Sequence, residues 1–178
     1  MNKIRVILIG LGPIGREIAK AVLEKKGMRV VGAVDIAKDL VGKDLGELLE
    51  LGKTLGVTVT DDAEGLLSRV KADVAIITTR SYLTDVYPQI ALCVRNGINV
   101  ISTCEELSYP YYKYPELSSE IDELAKKHGV TVLGTGINPG FLMDALPITL
   151  TGVCQHVESI KAVSYTHLRA HETSLHLV

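Results

Sequence analysis

Three glycines and one acid carry the first chemistry that can be read from this chain. Gly10-Leu11-Gly12-Pro13-Ile14-Gly15 has the spacing Gly-x-Gly-x-x-Gly, and Asp35 lies twenty residues beyond Gly15. Gly10 allows a sharp exit from a strand, Gly12 lets backbone approach a diphosphate, and Gly15 lets a helix lie close on a sheet. Pro13 is tolerated in a first helical turn, where its missing N–H has no partner to lose. The remaining N–H groups and the helix dipole form an anion site. Asp35 can accept hydrogen bonds from an adenosine ribose and would repel a 2′-phosphate, which favours NAD over NADP. Lys38 and Lys43 lie near enough in sequence to soften that repulsion. Ile36, next to the acid, belongs to the same candidate site.

These residues need particular elements to hold them. Ile4-Arg5-Val6-Ile7-Leu8-Ile9 is a short β-branched run of the length a buried strand requires. Behind the glycines, Ile14, Ile18, Ala21 and Val22 are expected on one helix face, with Arg16, Glu17 and Lys20 on the other. A second apolar run, residues 28–34, ends at Asp35. Strand, glycine motif, helix, strand and acid together make the dinucleotide-binding fingerprint in its required context.

The rest of the chain repeats the alternation. Asp44 is placed to cap a short helix, residues 57–59 read as a brief strand, and Asp61 or Asp62 caps a helix presenting Leu66, Leu67 and Val70. Residues 72–78 are nearly continuous in apolar character, as a central parallel strand demands. A helix over 84–95 with Val86, Ile90 and Val94 inward stops at Asn96-Gly97. Strands over 99–102 and 131–134 flank a helix over 115–128 that presents Leu117, Ile121, Leu124 and Ala125. This pattern predicts an α/β fold, a doubly wound parallel Rossmann sheet with right-handed crossovers.

Ligands of such sheets lie across the carboxyl ends of the strands. That edge is predicted to gather Gly10 to Gly15, Asp35, Thr78, Thr79, Arg80, Thr103, Cys104, Glu105, Glu106 and the stretch containing Asn138, Pro139, Gly140 and Phe141. Arg80 reads equally well as a polar strand end. Cys104 faces no histidine on a matching edge and is expected to act as a small apolar lining group rather than a nucleophile. Glu105 and Glu106 could position an amine, or be a solvated loop pair. Asn138-Pro139-Gly140-Phe141 makes a turn into a helix through Asp144, whose N-terminus could border nicotinamide or a carboxylate, or be a plain linker. His128 is a favourable cation at a helix C-terminus. No metal site is expected.

The 178 residues are 47% hydrophobic with formal charge −2, enough for a sizeable core and without the bulk charge of a nucleic-acid binder. No apolar stretch reaches membrane-spanning length, and the N-terminal apolar run meets glycines too soon for a signal peptide. Three cysteines, Cys93, Cys104 and Cys154, have no paired spacing, which suits reduced thiols in a cytoplasm.

Several stretches match more than a general fold. Val41-Gly42-Lys43-Asp44-Leu45-Gly46-Glu47 is similar to the segment after the second strand in dihydrodipicolinate reductase-like proteins. Ile101-Ser102-Thr103-Cys104-Glu105-Glu106-Leu107-Ser108-Tyr109-Pro110 and Gly134-Thr135-Gly136-Ile137-Asn138-Pro139-Gly140-Phe141 resemble the 2,4-diaminopentanoate dehydrogenase family. The resemblance covers residues 3–161. It implies an oxidoreductase that deaminates 2,4-diaminopentanoate with NAD or NADP in ornithine breakdown, with a Rossmann domain joined to a substrate domain and a homo-oligomeric full-length parent. It transfers no catalytic residue. A cyclic-imine reductase like dihydrodipicolinate reductase, or a nucleotide-binding sensor without catalysis, stays open beside it. The expected organisation is a dinucleotide-binding domain over 1–150 and the start of a truncated substrate domain over 151–162, including a strand near residues 153–160. Residues 163–178 resemble translated sequencing-adapter sequence, and His167 and His171 at i and i+4 are set aside with them.

Overall fold

The computed structural model of the chain describes residues 3–163. None of its helices is long and apolar enough to cross a membrane. The adapter-like stretch beyond Val163, with His167 and His171, lies outside the described residues. The chain divides into two compact units, one ending at Gly136 and the other beginning at Ile137.

The first unit is a six-stranded, all-parallel sheet. Its strands are β1 (Ile4–Ile9), β2 (Met28–Val34), β3 (Val59–Thr60), β4 (Val74–Ile77), β5 (Asn99–Ser102) and β6 (Val132–Gly134). They lie in the order β3-β2-β1-β4-β5-β6. The strand order reverses between β1 and β4, the switch point at which such sheets open a crevice. The helices of this unit are α1 (Pro13–Glu24), α2 (Leu45–Leu48), α3 (Ala63–Arg69), α4 (Leu83–Arg95) and α5 (Pro115–His128).

Alternation along β1 divides the core in two. Val6 and Leu8 pack with Ala19 and Val22 of α1 and with Leu45 and Leu48 of α2. Ile7 and Ile9 point to the opposite face, among Val86, Ile90 and Val94 of α4 and Ile121 of α5. This is the period-two arrangement of a strand buried on both sides.

The structure puts Val22 and half-buried Ile18 on the inward face of α1 as expected, but not Ile14 and Ala21. The fully buried residues of the helix are Gly15, Ala19 and Val22, whereas Ile14 is 62% exposed and Ala21 is also outward. Gly15 fixes this rotation: it sits so close to the turn that a Cβ there would lie 2.1 Å from the Gly10 carbonyl oxygen. The line through Gly15, Ala19 and Val22, at i, i+4 and i+7, must therefore face the sheet, and Ile14 turns out to the carboxyl edge. Smaller shifts occur elsewhere. The brief strand is Val59–Thr60 rather than 57–59, and Asp62, not Asp61, caps α3 by accepting from the Gly65 N–H at 2.8 Å. Asp44 caps α2 as expected and also accepts from the Leu55 and Val57 N–H groups, so one carboxylate closes the whole loop after β2.

At the opposite, amino end of the sheet Asp73 joins β1 to β4. Its Oδ2 accepts from the Arg5 backbone N–H at 2.7 Å and from Arg5 Nε at 3.0 Å, and its Oδ1 from the other guanidinium arm at 2.7 Å. The Arg5 side chain above all, then its N–H, lowers the Asp73 carboxyl from 3.8 to about 2. A folded value below the unfolded one stabilises the fold fully above the unfolded value, and that gain is lost as pH falls towards 2. Asp73→Asn is accordingly expected to melt roughly 2–4 °C lower than the parent near pH 6, given the pair's solvent screening, with the gap closing between pH 4 and pH 2. A gap that does not change with pH in parallel melts would refute the assignment.

In the second unit Asn138, Pro139 and Gly140 depart from helical angles, Gly140 with a φ of 121°. Helical turns resume behind them and run into α6 (Leu146–Thr151). The strand expected near 153–160 does not form. A strand needs a neighbour to bond to, and among the described residues this segment pairs with none.

Candidate dinucleotide site

The carboxyl edge of the first unit brings the glycine motif, Asp35, and the ends of β4 and β5 together. The Gly10 N–H donates to the Val34 carbonyl at 2.9 Å, and its φ of 94° starts the turn. The Thr78 hydroxyl donates to the Gly10 carbonyl at 2.9 Å. Arg16 Nε donates to the Leu11 carbonyl at 2.9 Å. The loop is thus fastened from β4 and from its own helix.

The three glycines have different physical reasons. Gly10 needs its positive φ, and Gly15 has no room for a side chain. Gly12 has an ordinary φ of −64°, is exposed, and a Cβ there would meet nothing within 4 Å. Among the described residues neither strain nor packing requires glycine at that position, and its bare, exposed backbone is open to close approach by a ligand. Among the described residues the N–H groups of Gly12, Ile14 and Gly15 have no acceptor, as the first turn of a helix leaves them. The Leu11 N–H is not part of this anion site. Leu11 is fully buried, and its N–H is committed to Asp35. The residues present therefore fit a dinucleotide, since the N–H groups of Gly12, Ile14 and Gly15 are left open to an anion at the start of α1.

Asp35 ends β2 with both oxygens in use. Oδ2 accepts from the Leu11 N–H at 2.6 Å and Oδ1 from the Ala37 N–H at 2.9 Å. The acid is therefore a bracket between the glycine loop and the loop after β2, and its orientation is fixed. Ile36 beside it is 79% exposed.

Beyond β4, the Thr79 hydroxyl donates to the Gln89 side-chain oxygen at 2.9 Å, and Arg80 is exposed. Beyond β5, buried Ser102 donates to the Ile77 carbonyl and accepts from the Cys104 N–H, both at 3.1 Å. Thr103 is half-buried. Cys104 is 1% exposed, its thiol donates to the Ser81 carbonyl at 3.1 Å, and burial pushes its pKa up. A raised pKa and a closed position rule against a nucleophilic thiolate. They also correct the side-chain lining role, leaving only backbone to meet a ligand there. Glu105 is exposed on the turn that follows.

Glu106 is not the solvated loop residue the sequence suggests. Its side chain is 16% exposed, paired with Lys113, and Oε2 accepts from the Leu83 N–H and the Tyr114 hydroxyl, each at 2.9 Å. Lys113, then the Leu83 N–H and the Tyr114 hydroxyl, hold its carboxyl below the usual range. Sequence reasoning missed this cluster, and also Gln89 and Ser102. Leu83 and Glu106 lie 23 residues apart, and no local pattern marks such a bond. Asn138, Pro139, Gly140 and Phe141 lie in the second unit, where the Gly140 N–H donates to Asp144 Oδ2 at 2.6 Å and closes the expected turn.

The family model described as dihydrodipicolinate reductase, N-terminus, matches residues 4–133. Similar proteins include a 2,4-diaminopentanoate dehydrogenase of Acetoanaerobium sticklandii, 41% identical over 161 residues, which are 90% of this chain and 45% of that protein. An amine dehydrogenase of Streptomyces virginiae is 29% identical over 163 residues, 89% of this chain and 44% of its own. The solved structure of an amine dehydrogenase from Mycobacterium smegmatis superposes with a TM-score of 0.78 at 40% identity, covering 84% of this chain and 44% of that one. The chain spans about half the length of the curated relatives it matches. A glycine fingerprint closed on an acid, a β3-β2-β1-β4-β5-β6 parallel sheet and a family match over most of the chain lead to one assignment: it belongs to the dihydrodipicolinate reductase N-terminal family, with an NAD(P)-binding Rossmann fold.

Proposed function

We propose that this chain is the dinucleotide-binding half of an NAD(P)-dependent amine dehydrogenase, an oxidoreductase acting on CH–NH2, that converts 2,4-diaminopentanoate to 2-amino-4-oxopentanoate and ammonia. The observation that carries this reading is the 41% identity to 2,4-diaminopentanoate dehydrogenase along 161 residues. The Gly12, Ile14 and Gly15 N–H groups and the α1 dipole receive the diphosphate. Asp35 meets the adenosine ribose and favours NAD over NADP, with Ile36 beside the adenosine. Thr78, Thr79 and Arg80 line the middle of the crevice, and Thr103, the Cys104 backbone and Glu105 border the nicotinamide ribose. A bound nicotinamide supplies the acceptor for hydride leaving the amine-bearing carbon, after which the imine is hydrolysed to ketone and ammonia. Hydride leaves the carbon of the neutral form of the amine, and of the two adjacent glutamates only Glu105 has a carboxylate free to position that amine, Glu106 being engaged by Lys113, Leu83 and Tyr114. The working location is the cytoplasm, which suits three free cysteines.

Substrate must be held about 3–3.5 Å from the ring, which needs walls on both sides. This sheet edge gives one wall, and the additional half of the relatives gives the other. The expected result is that the chain binds NAD, by calorimetric titration, and forms no NADH from 2,4-diaminopentanoate at typical enzyme rates, about 1 per second or more. Turnover at such rates would place the whole active site in this chain, and absence of binding would overturn the reading. The family match supports a second reading, a reductase of a cyclic imine. Oxidation of NADH or NADPH by a cyclic imine, with no response to the diamine, would favour it.

A further inference from the structure

We infer that Glu106 is a positioning residue that locks the loops after β4 and β5 into one rigid lip, and so fixes the nicotinamide end of the crevice. The inference rests on the dinucleotide-binding reading above. Three bonds join residues 81–83 to residues 104–106: Leu83 N–H to Glu106 Oε2 at 2.9 Å, Glu106 N–H to the Ser81 carbonyl at 3.3 Å, and the Cys104 thiol to the same carbonyl at 3.1 Å. The 3.1 Å bond from the Cys104 N–H to Ser102 Oγ seats the second loop on β5.

The Glu106 carboxylate does what no local residue does. α4 begins at Leu83, and Tyr82 before it makes no side-chain cap. A carboxylate delivered from the neighbouring loop takes up the orphan N–H and suits the positive end of the helix. Lys113 holds the other oxygen of the same carboxylate, and the Tyr114 hydroxyl donates to the oxygen that also takes the Leu83 N–H. The turn is also buttressed from β6, because a Cβ on Gly134 would lie 2.5 Å from the Leu107 carbonyl carbon and oxygen. Neither loop can move without breaking charge-assisted bonds, which are the stronger kind. The exposed neighbours Arg80 and Glu105 ride on this lip, one on each side.

A dinucleotide crossing the switch point places its adenosine towards β2 and its nicotinamide towards β4 and β5. Loss of the lock should therefore weaken the whole dinucleotide and spare the adenosine half. The test titrates NAD and ADP-ribose, which lacks nicotinamide, into the parent chain, Glu106→Ala, Glu106→Gln and Tyr114→Phe, with amide hydrogen exchange at residues 79–83 and 104–108. Glu106→Ala should raise the Kd for NAD roughly five- to tenfold, leave that for ADP-ribose within about twofold, and speed exchange in both loops together. Glu106→Gln keeps one acceptor and should fall between, and Tyr114→Phe should shift NAD binding in the same direction by less. Should Glu106→Ala fail to fold, these two milder variants decide between the outcomes. Equal weakening of both ligands would mean a general loss of structure and overturn the proposal, as would unchanged NAD affinity. A parent chain that binds neither ligand would overturn the dinucleotide reading itself, and the proposal with it.

Discussion

Gly15→Ala is expected to lower the melting temperature and dinucleotide affinity together, while Gly12→Ala lowers affinity alone. At Gly15 the added methyl would lie 2.1 Å from the Gly10 carbonyl oxygen and 2.8 Å from Thr78 Oγ1. The first of these is backbone in a tight turn, so α1 must move away from β1. Overpacking of this kind costs about 1–3 kcal/mol, or roughly 2–12 °C in a chain of this size. It also displaces the Ile14 and Gly15 N–H groups, so NAD binding should weaken at least tenfold or so, the cost of about 1.4 kcal/mol. At Gly12 the same methyl meets nothing within 4 Å and the φ of −64° suits alanine. Stability should then stay within about 0.5 kcal/mol, whereas the methyl would project to where a diphosphate approaches. Melts and NAD titrations of the two variants side by side decide the matter. Gly12→Ala binding as tightly as the parent would remove the ligand-based reason for that glycine.

The contrast between these glycines marks what the sequence can tell and what it cannot. Spacing alone located the turn, because strand, glycine motif and helix are contiguous and each leaves a local signature. β1, β2 and β5 are legible to the residue, since a buried parallel strand is a largely apolar run between turn residues. The rotation of α1 is not. Ile14 looks like a core residue by type and spacing, but a backbone contact at Gly15 sets which face packs, and no hydropathy pattern reports a backbone contact. The same holds for Glu106 and Asp35. Their acidic character and their place after a strand were visible, but their partners, Leu83 and Leu11, are 23 and 24 residues away. Such bonds depend on which strands become neighbours, so they become readable only once β2 lies beside β1 and β5 beside β4. Residues 153–160 failed for the complementary reason: an apolar, β-prone run becomes a strand only with an edge to join.

Asp35→Ser should shift cofactor preference from NAD towards NADP and destabilise the glycine loop at the same time. The carboxylate takes the Leu11 N–H at 2.6 Å on one oxygen and the Ala37 N–H at 2.9 Å on the other. Held at both ends, it would meet ribose hydroxyls with its remaining lone pairs already aimed, so binding would spend little on ordering it. Serine is too short to reach both amides. The Leu11 N–H, on a fully buried residue, is then left without an acceptor, which costs about 1–3 kcal/mol of stability. Asp35→Asn separates the two roles, because it keeps an oxygen for Leu11 while removing the charge. The asparagine variant gives up the bond from the half-buried Ala37 N–H and should melt between the serine variant and the parent, lose NAD affinity by roughly fivefold, and no longer repel a 2′-phosphate, so its NADP affinity should rise. The serine variant should show the larger change in the NAD-to-NADP ratio, on the order of tenfold or more, together with the lower melting temperature. Titration of both cofactors into all three proteins, with parallel melts, gives the ratio and the stability independently. A ratio that is the same in all three would mean that Asp35 serves the loop alone and that cofactor choice is made elsewhere on the edge.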